Sequence, residues 1–209
     1  GLPGINNGSI DPINVDNIEV IKGPSGTLFG SSLISYGGLI NIVTKKPHSR
    51  FGGEISYNSG TYGLDRITAD VNIPLNKDVS LRVTSAHQNE DSFQDAGFSK
   101  SFFVAPSLSY KVNDKLSFFV NTEFMNNKQT NATMLFLDRG AVLRVHNIDE
   151  LGYDNKRSYT SNELAIETPS YNLQAQMNYK FNDQWSSQTV VSRGSSSSNG
   201  YYSYLYEGT

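Results

Sequence analysis

From Phe51 onward, apolar and polar residues alternate with a period of two in stretch after stretch. That pattern sends successive side chains to opposite faces of a strand. The clearest run is Tyr171 to Phe181, where Tyr171, Leu173, Ala175, Met177, Tyr179 and Phe181 share one face and Asn172, Gln174, Gln176, Asn178 and Lys180 the other. Leu116, Phe118, Val120 and Phe124 oppose Ser117, Asn121 and Glu123, while Phe102, Val104, Leu108 and Tyr110 oppose Ser107, Ser109 and Lys111. Ile67, Ala69, Val71 and Ile73 oppose Arg66, Thr68, Asp70 and Asn72, and Val79, Leu81 and Val83 oppose Ser80, Arg82 and Thr84. The pattern predicts seven strands after Arg50, with Tyr201 to Tyr206 a candidate eighth. Pro106 falls inside one of them and cannot donate to a ladder, so a bulge is expected there.

The first fifty residues read differently. Residues 1 to 13 are turn-rich, Val15 to Ile21 alternates as a strand stopped by Gly23-Pro24, and Ser25 to Gly30 reads as a tight turn or one helical turn. Leu39 to Thr44 is β-branched and apolar, a second strand closed by Lys45-Lys46-Pro47. The change of pattern places a boundary at Pro47 to Arg50.

Alternation alone fits a soluble sandwich as well as a membrane barrel. Three features favour the barrel. Strands of roughly ten residues, at ~3.3 Å each and a tilt near 45°, cover about 23 Å of membrane normal, close to the apolar band of an outer-membrane barrel. The connections alternate in size: Asn76-Lys77-Asp78, Asn113-Asp114-Lys115 and Asn182-Asp183-Gln184 are short, whereas Asn89 to Ser99 is moderate and Asn126 to Ser170 long. Short turns on one rim and long loops on the other are the barrel asymmetry. Finally, Tyr110, Phe181 and Trp185 sit beside the short turns, where an interfacial girdle lies, and no charge falls at the centre of the apolar face.

Composition narrows the function. Hydrophobic residues make up 37 %, low for a soluble globular chain, but 12 Tyr and 11 Phe argue against disorder. A net charge of −3 gives no reason to expect nucleic acid as a partner. The absence of cysteine removes disulfides, thiolate metal sites and cysteine nucleophiles. His48, His87 and His146 lack metal-ligand spacing, and no serine sits in a nucleophile elbow. No enzyme activity, cofactor or resident metal is expected.

The stretch from Val15 to Gly30, with Ile18-Glu19-Val20-Ile21-Lys22-Gly23-Pro24 and Leu28-Phe29-Gly30, is followed by Gly37-Gly38-Leu39-Ile40-Asn41-Ile42-Val43-Thr44-Lys45. Together they closely resemble the plug-domain signature of TonB-dependent outer-membrane receptors. Ser31 to Tyr36 between the two halves is about two residues longer than the commonest spacing in that family. Glu90 to Asp95 and Ser99 to Leu108 resemble early barrel strands of the ferric-siderophore branch. A Gly-rich phosphate loop is the competing reading, but no Gly-Lys-Ser/Thr follows.

The resemblance implies a mainly β fold, part of a 22-stranded antiparallel transmembrane β-barrel with an α/β plug domain in its lumen. Residues 1–49 would be the C-terminal part of the plug and residues 50–209 the first strands of an incomplete barrel. The chain is then expected to be an internal fragment, without signal peptide or TonB-contacting segment. The implied activity is uptake of a ferric siderophore across the bacterial outer membrane, energised by the TonB–ExbB–ExbD complex through a segment outside this chain. Another cargo (glycan, cobalamin or haem) and a soluble secreted β-rich binding module are the alternatives. With the plug on the periplasmic side, the short turns lie periplasmic and the long loops extracellular.

The candidate residues follow. Phe29 and Tyr36 would contact the chelate near the plug apex, or simply pack the plug; Tyr153, Arg157 and Tyr159 in the long loop would help to bind an anionic chelate. Lys22, Lys45 and Lys46 are expected to pair with wall carboxylates such as Glu54, Asp70 and Glu123, against the alternative that all are solvated charges on a wet wall.

Overall fold

The computed structural model describes residues 11–23, 37–131, 134–136, 147–152, 154–202 and 204–206. Strand β1 (Val15–Lys22) pairs antiparallel with β2 (Gly38–Thr44), Ile18 opposite Ile42 and Val20 opposite Ile40. The turn expected at Ser25 to Gly30 lies outside the described residues. The remaining long strands are β3 (Gly52–Ser59), β4 (Asp65–Pro74), β5 (Val79–Asp91), β6 (Phe98–Lys111), β7 (Leu116–Thr130), β9 (Ala165–Lys180) and β10 (Ser186–Ser196). They form one antiparallel sheet in which every long strand lies beside its sequence neighbour. Three short strands complete the set: β8 (Met134–Phe136), β11 (Asn199–Gly200), which extends the pairing of β9, and β12 (Tyr204–Tyr206). The candidate eighth strand therefore does not widen the sheet; its last residues pair parallel with β8.

Two expectations are corrected. Strands β5, β6, β7 and β9 run 13, 14, 15 and 16 residues rather than ten, so the two larger connections between long strands shrink to residues 92–97 and 131–164. Alternation fades where both faces meet water, but backbone pairing continues past that point. The bulge at Pro106 is also absent. Val83 pairs with Pro106, and the β6–β7 register resumes unshifted from Val104–Phe124 to Ser107–Asn121. Thr122 Oγ1 donates to the Pro106 carbonyl at 3.0 Å. In an extended strand a residue's N–H and C=O point to the same side, so the missing donor faces β7; there the Thr122 hydroxyl holds the Pro106 carbonyl, and the register does not slip.

The sheet is inside-out relative to a soluble protein. By register, Ile55, Ile67, Val83, Phe102, Leu108, Val120, Tyr171, Ala175 and Val191 share one face, and Ile55 (72 %) and Val191 (67 %) are among its most exposed residues. The buried positions lie on the other face: Thr68, Asp70, Asn72, Thr84, Ser107 and Asn121, around a small apolar spot of Ala86, Phe103, Ala105 and Met125. A continuous apolar face left open on one side is a surface for lipid. Aromatics bound it at both ends, Phe102, Phe124 and Tyr171 above, Tyr110, Phe118 and Tyr179 below. On β6 and β9 the two rows are eight residues apart, ~27 Å along the strand and about 20 Å along the normal at barrel tilt.

The three short turns are built alike. The Asn76 side chain accepts from the Asp78 and Val79 amides, Asn113 from Lys115 and Leu116, and Asn182 from Gln184 and Trp185, all at 2.8–2.9 Å. Lys111 with Asp114 and Lys180 with Asp183 repeat one ion pair across two of them, and the Lys111 ammonium holds the Asp114 carboxyl below the usual carboxylate range. Asn113→Ala strands two amide donors at the rim and is expected to destabilise the full-length protein by about 1 kcal/mol. Asn113→Asp keeps the acceptor and stays near wild type. Urea unfolding from lipid vesicles measures both. At the opposite rim, β3 and β4 join through a tight turn whose central residues, Tyr62 and Gly63, both have positive φ, the geometry that matches strand twist.

Candidate functional site

The inner face of the sheet carries a seam where the residues flanking β1 and β2 dock. Pro12–Asn14 form a 3-10 turn, entered through Pro12 and capped by Asp11, whose carboxylate accepts from the Ile13 amide at 2.9 Å. The turn seats Ile13 against the apolar spot of Ala86, Phe103, Ala105 and Met125. Polar pairs surround this contact.

Asp11, only 3 % exposed, receives both ends of the Arg66 guanidinium at 2.7 and 3.1 Å, a bidentate, charge-assisted pair. Arg66 also donates to Gln88 at 3.0 Å. The buried Asn14 amide donates to Glu123 Oε1 at 2.8 Å and accepts from the Thr84 hydroxyl at 3.1 Å. Its carbonyl accepts from the Lys45 amide at 2.9 Å, which ties the two docking segments together.

The second segment holds a charge cluster. The Lys45 ammonium lies 2.8 Å from Asp70 Oδ2, and Arg82 donates to both oxygens of Asp70 at 2.8 Å. Arg82 also reaches the Lys46 carbonyl at 3.0 Å. Asn72, 2 % exposed, accepts from the His48 amide and donates to the His48 and Arg50 carbonyls at 2.8 and 2.6 Å. Every hydrogen-bonding atom of its amide is used.

Of the expected charge pairs, the structure brings Lys45 onto Asp70. Glu123 meets an amide, Asn14, rather than a lysine. The Lys46 ammonium lies 5.4 Å from the centre of the Phe119 ring, and it forms no ion pair with a wall carboxylate among the described residues. Lys22 and Glu54 are exposed and form no ion pair among the described residues. Glu54 lies opposite Asp70 on the sheet's edge strand, and Lys45 and Arg82 already occupy that carboxylate. Sequence reading missed Asp11, Asn14, Arg82 and Asn72. Arg82 and Asn72 carry a usable signal, because they are polar at inward positions of alternating strands. Asp11 and Asn14 sit in a turn without periodicity and carry none.

Phe29, Tyr36 and Tyr153 lie outside the described residues. Arg157 and Tyr159 stand at the rim opposite the short turns, the guanidinium 5.9 Å from the tyrosine ring. Their segment is stitched to the 92–97 loop: the Asp95 amide donates to the Lys156 carbonyl at 2.9 Å, and Gln94 donates to the carbonyls of Asn155 and Arg157. The Gly97 amide donates to Asn162 at 2.8 Å. The loops at this rim are thus a connected unit.

No protein-family model matches the chain. Similarity to individual proteins is extensive. The metal-pseudopaline receptor CntO of Pseudomonas aeruginosa (strain PAO1) is 29 % identical over 179 residues, 84 % of this chain and 24 % of that protein. The ferrichrome outer membrane transporter/phage receptor of Escherichia coli (strain K12) is 27 % identical over 77 % of this chain and 22 % of its own length. The chain therefore spans about a quarter of the length of the curated relatives it matches. Among solved structures, the pyoverdine outer membrane receptor FpvA from P. aeruginosa PAO1 superposes with a TM-score of 0.76 at 22 % identity, over 91 % of this chain and 27 % of that one, and shares the fold. In its plug-like signature, its inside-out sheet and these relatives, the chain is similar to the TonB-dependent outer-membrane receptors.

Proposed function

We propose that the chain is part of an active importer of ferric siderophores. Residues 1–49 form the end of a plug, and residues 50–209 the first strands of a 22-stranded barrel that encloses it. The observation that carries this reading is the seam. Segments 11–14 and 45–50 sit on the hydrophilic face of a sheet whose opposite face is apolar, the arrangement of a stopper against the inner wall of a membrane pore. Relatives named for pseudopaline and ferrichrome support a metal chelate as cargo.

In this reading the short turns face the periplasm, and the stitched loops with Arg157 and Tyr159 receive an anionic chelate from outside. Phe29, Tyr36 and Tyr153 supply further aromatic contacts. The TonB–ExbB–ExbD complex, acting through a segment beyond this chain, pulls the plug to open a path. No reaction is catalysed. Deleting the full-length gene is expected to abolish uptake of one radiolabelled ferric chelate while leaving small-solute entry unchanged. A deletion strain that takes up every tested ferric siderophore at the parental rate sinks the cargo assignment.

A further inference from the structure

The inner face of the sheet has two sectors of different chemistry. Over β4, β5 and β7 the charged groups Arg66, Asp70, Arg82 and Glu123 are engaged by segments 11–14 and 45–50. Beyond β7 the charges stop. By register, the inward residues of β9 from Thr168 to Asn178 are all amides and hydroxyls. Those of β10 from Gln188 to Ser196 add only Val190 and Gly194 to that set. Ser170 and Asn178 are eight residues apart, ~27 Å of strand, so the uncharged strip is as long as the apolar band on the opposite face. Among the described residues, no hydrogen bond from segments 11–14 or 45–50 reaches β9 or β10.

The boundary between the sectors runs along β7. Glu123 gives one oxygen to Asn14 at 2.8 Å, and its other faces the Asn172 amide at 3.5 Å. One row nearer the short turns, Asn121 is 6 % exposed, and its side-chain oxygen has no donor among the described residues. Gln174 lies directly across from Asn121, and Ser192 across from Gln174. Neither the Gln174 nor the Ser192 side chain forms a hydrogen bond among the described residues. Below them Gln176 and Gln188 both donate to the side-chain oxygen of Asn178, at 2.9 and 3.1 Å. Separating the seam strands ions that are shielded from water, whereas an amide exchanges a neutral partner for water at little net cost. A neutral amide wall also holds a hydrophilic solute weakly at many points and releases it again, which is the condition for passage rather than capture.

We infer that the inner faces of β9 and β10 are the track along which the chelate crosses the membrane, while the seam on β4, β5 and β7 stays closed. Gln174 and Ser192, halfway along, form with Asn121 a relay point for the amide and hydroxyl groups of the chelate. The Asn121 oxygen accepts an N–H or O–H there. The inference rests on the importer reading and adds to it where the path opens and which side chains line it.

The test places single cysteines at Gln174 or Ser192 on the track and at Thr84 or Ser107 in the seam, in a full-length receptor freed of other cysteines. Energised cells receive radio-iron-loaded pseudopaline, pyoverdine and a tris-catechol chelate in turn, with a membrane-impermeant maleimide outside. During uptake Q174C and S192C are expected to label several-fold faster than at rest, and T84C and S107C to stay unlabelled. Seam cysteines that label as fast as track cysteines overturn the track. So does a track rate that uptake leaves unchanged, the outcome if plug residues cover β9 and β10 throughout. A rate measurement separates passage from capture. Q174K, whose ammonium retains an anionic chelate, is expected to lower the maximal uptake rate roughly tenfold, the scale of one charge acting across about 10 Å of protein, with half-saturation unchanged. S101K, the same charge on the inner face of β6, keeps the wild-type rate. Equal rates for Q174K and wild type, or equal slowing by S101K and Q174K, overturn the track. Wild type that imports none of the three chelates removes the importer reading itself, a result obtained before any variant is compared.

Discussion

Asp70→Asn is expected to be the most damaging single change in the seam, destabilising the docked segments by about 3–5 kcal/mol, the usual consequence of removing one member of a buried ionic cluster. The side chains of Asp70, Lys45 and Arg82 are 12 %, 22 % and 17 % exposed, so water screens them poorly. One carboxylate serves two cations here, and its neutralisation leaves Lys45 and Arg82 facing each other. Lys45→Met is a much milder change, because the bidentate Arg82–Asp70 pair survives it. Limited proteolysis of the full-length receptor reads the difference: D70N exposes residues 11–50 to cleavage, and K45M does so weakly. Partial recovery is expected in the swapped variant K45E/D70K, where the carboxylate moved to position 45 stands between Arg82 and the ammonium moved to position 70. Wild-type protease resistance in D70N, or no recovery in the swap, would show that the cluster does not hold the seam.

The second large effect is expected at Ala175. It lies midway between Tyr171 and Tyr179 on the apolar face, paired with Val120 on one side and Val191 on the other. An arginine there meets the bilayer midplane, which costs about 2–4 kcal/mol in barrels of this kind. Gln174→Arg, one residue away, points to the wet inner face and is expected to change stability by well under half of that. Urea titration of the two full-length variants in vesicles separates a membrane wall from a soluble sheet. In a sandwich core both faces would be judged by different rules, and equal effects at 174 and 175 would contradict the assignment of faces.

The contrast between those neighbours shows what sequence could reveal. Within the lipid band, solvent differs on the two sides of the strand, so hydrophobicity alternates and both strand number and facing are legible. Tyr171 to Phe181 is the plainest instance. Beyond the band both sides are wet; Asn126 to Thr130 and Ala165 to Ser170 carry no alternation, and their pairing became visible only in the ladder. Pro106 misled because its lost donor was weighed without knowing which neighbour it faced. In the site, Lys45 and Asp70 were legible as opposite charges on the two parts of the chain. Asp11 and Asn14 were not, because a single capped turn against a wall leaves no repeating trace. Lys22 and Glu54 carry charges that looked equivalent to those of Lys45 and Asp70. Position in three dimensions separates them, since a charge pairs where the chain is already docked.

The extension of β7 and β9 above the upper aromatics has a further consequence. Tyr171 is six residues from the start of β9 at Ala165, ~20 Å of ladder, so the outer loops ride on a hydrogen-bonded collar. The height of a collar is adjustable only in even steps. Cutting two residues from each of β7 and β9 would lower the outer loops by about 5 Å at barrel tilt and keep every side chain on its own surface. Cutting one from each would turn Lys128 and Glu167 inward and bring Gln129 and Ile166 out, so parity fixes how far such an entrance can be raised or lowered.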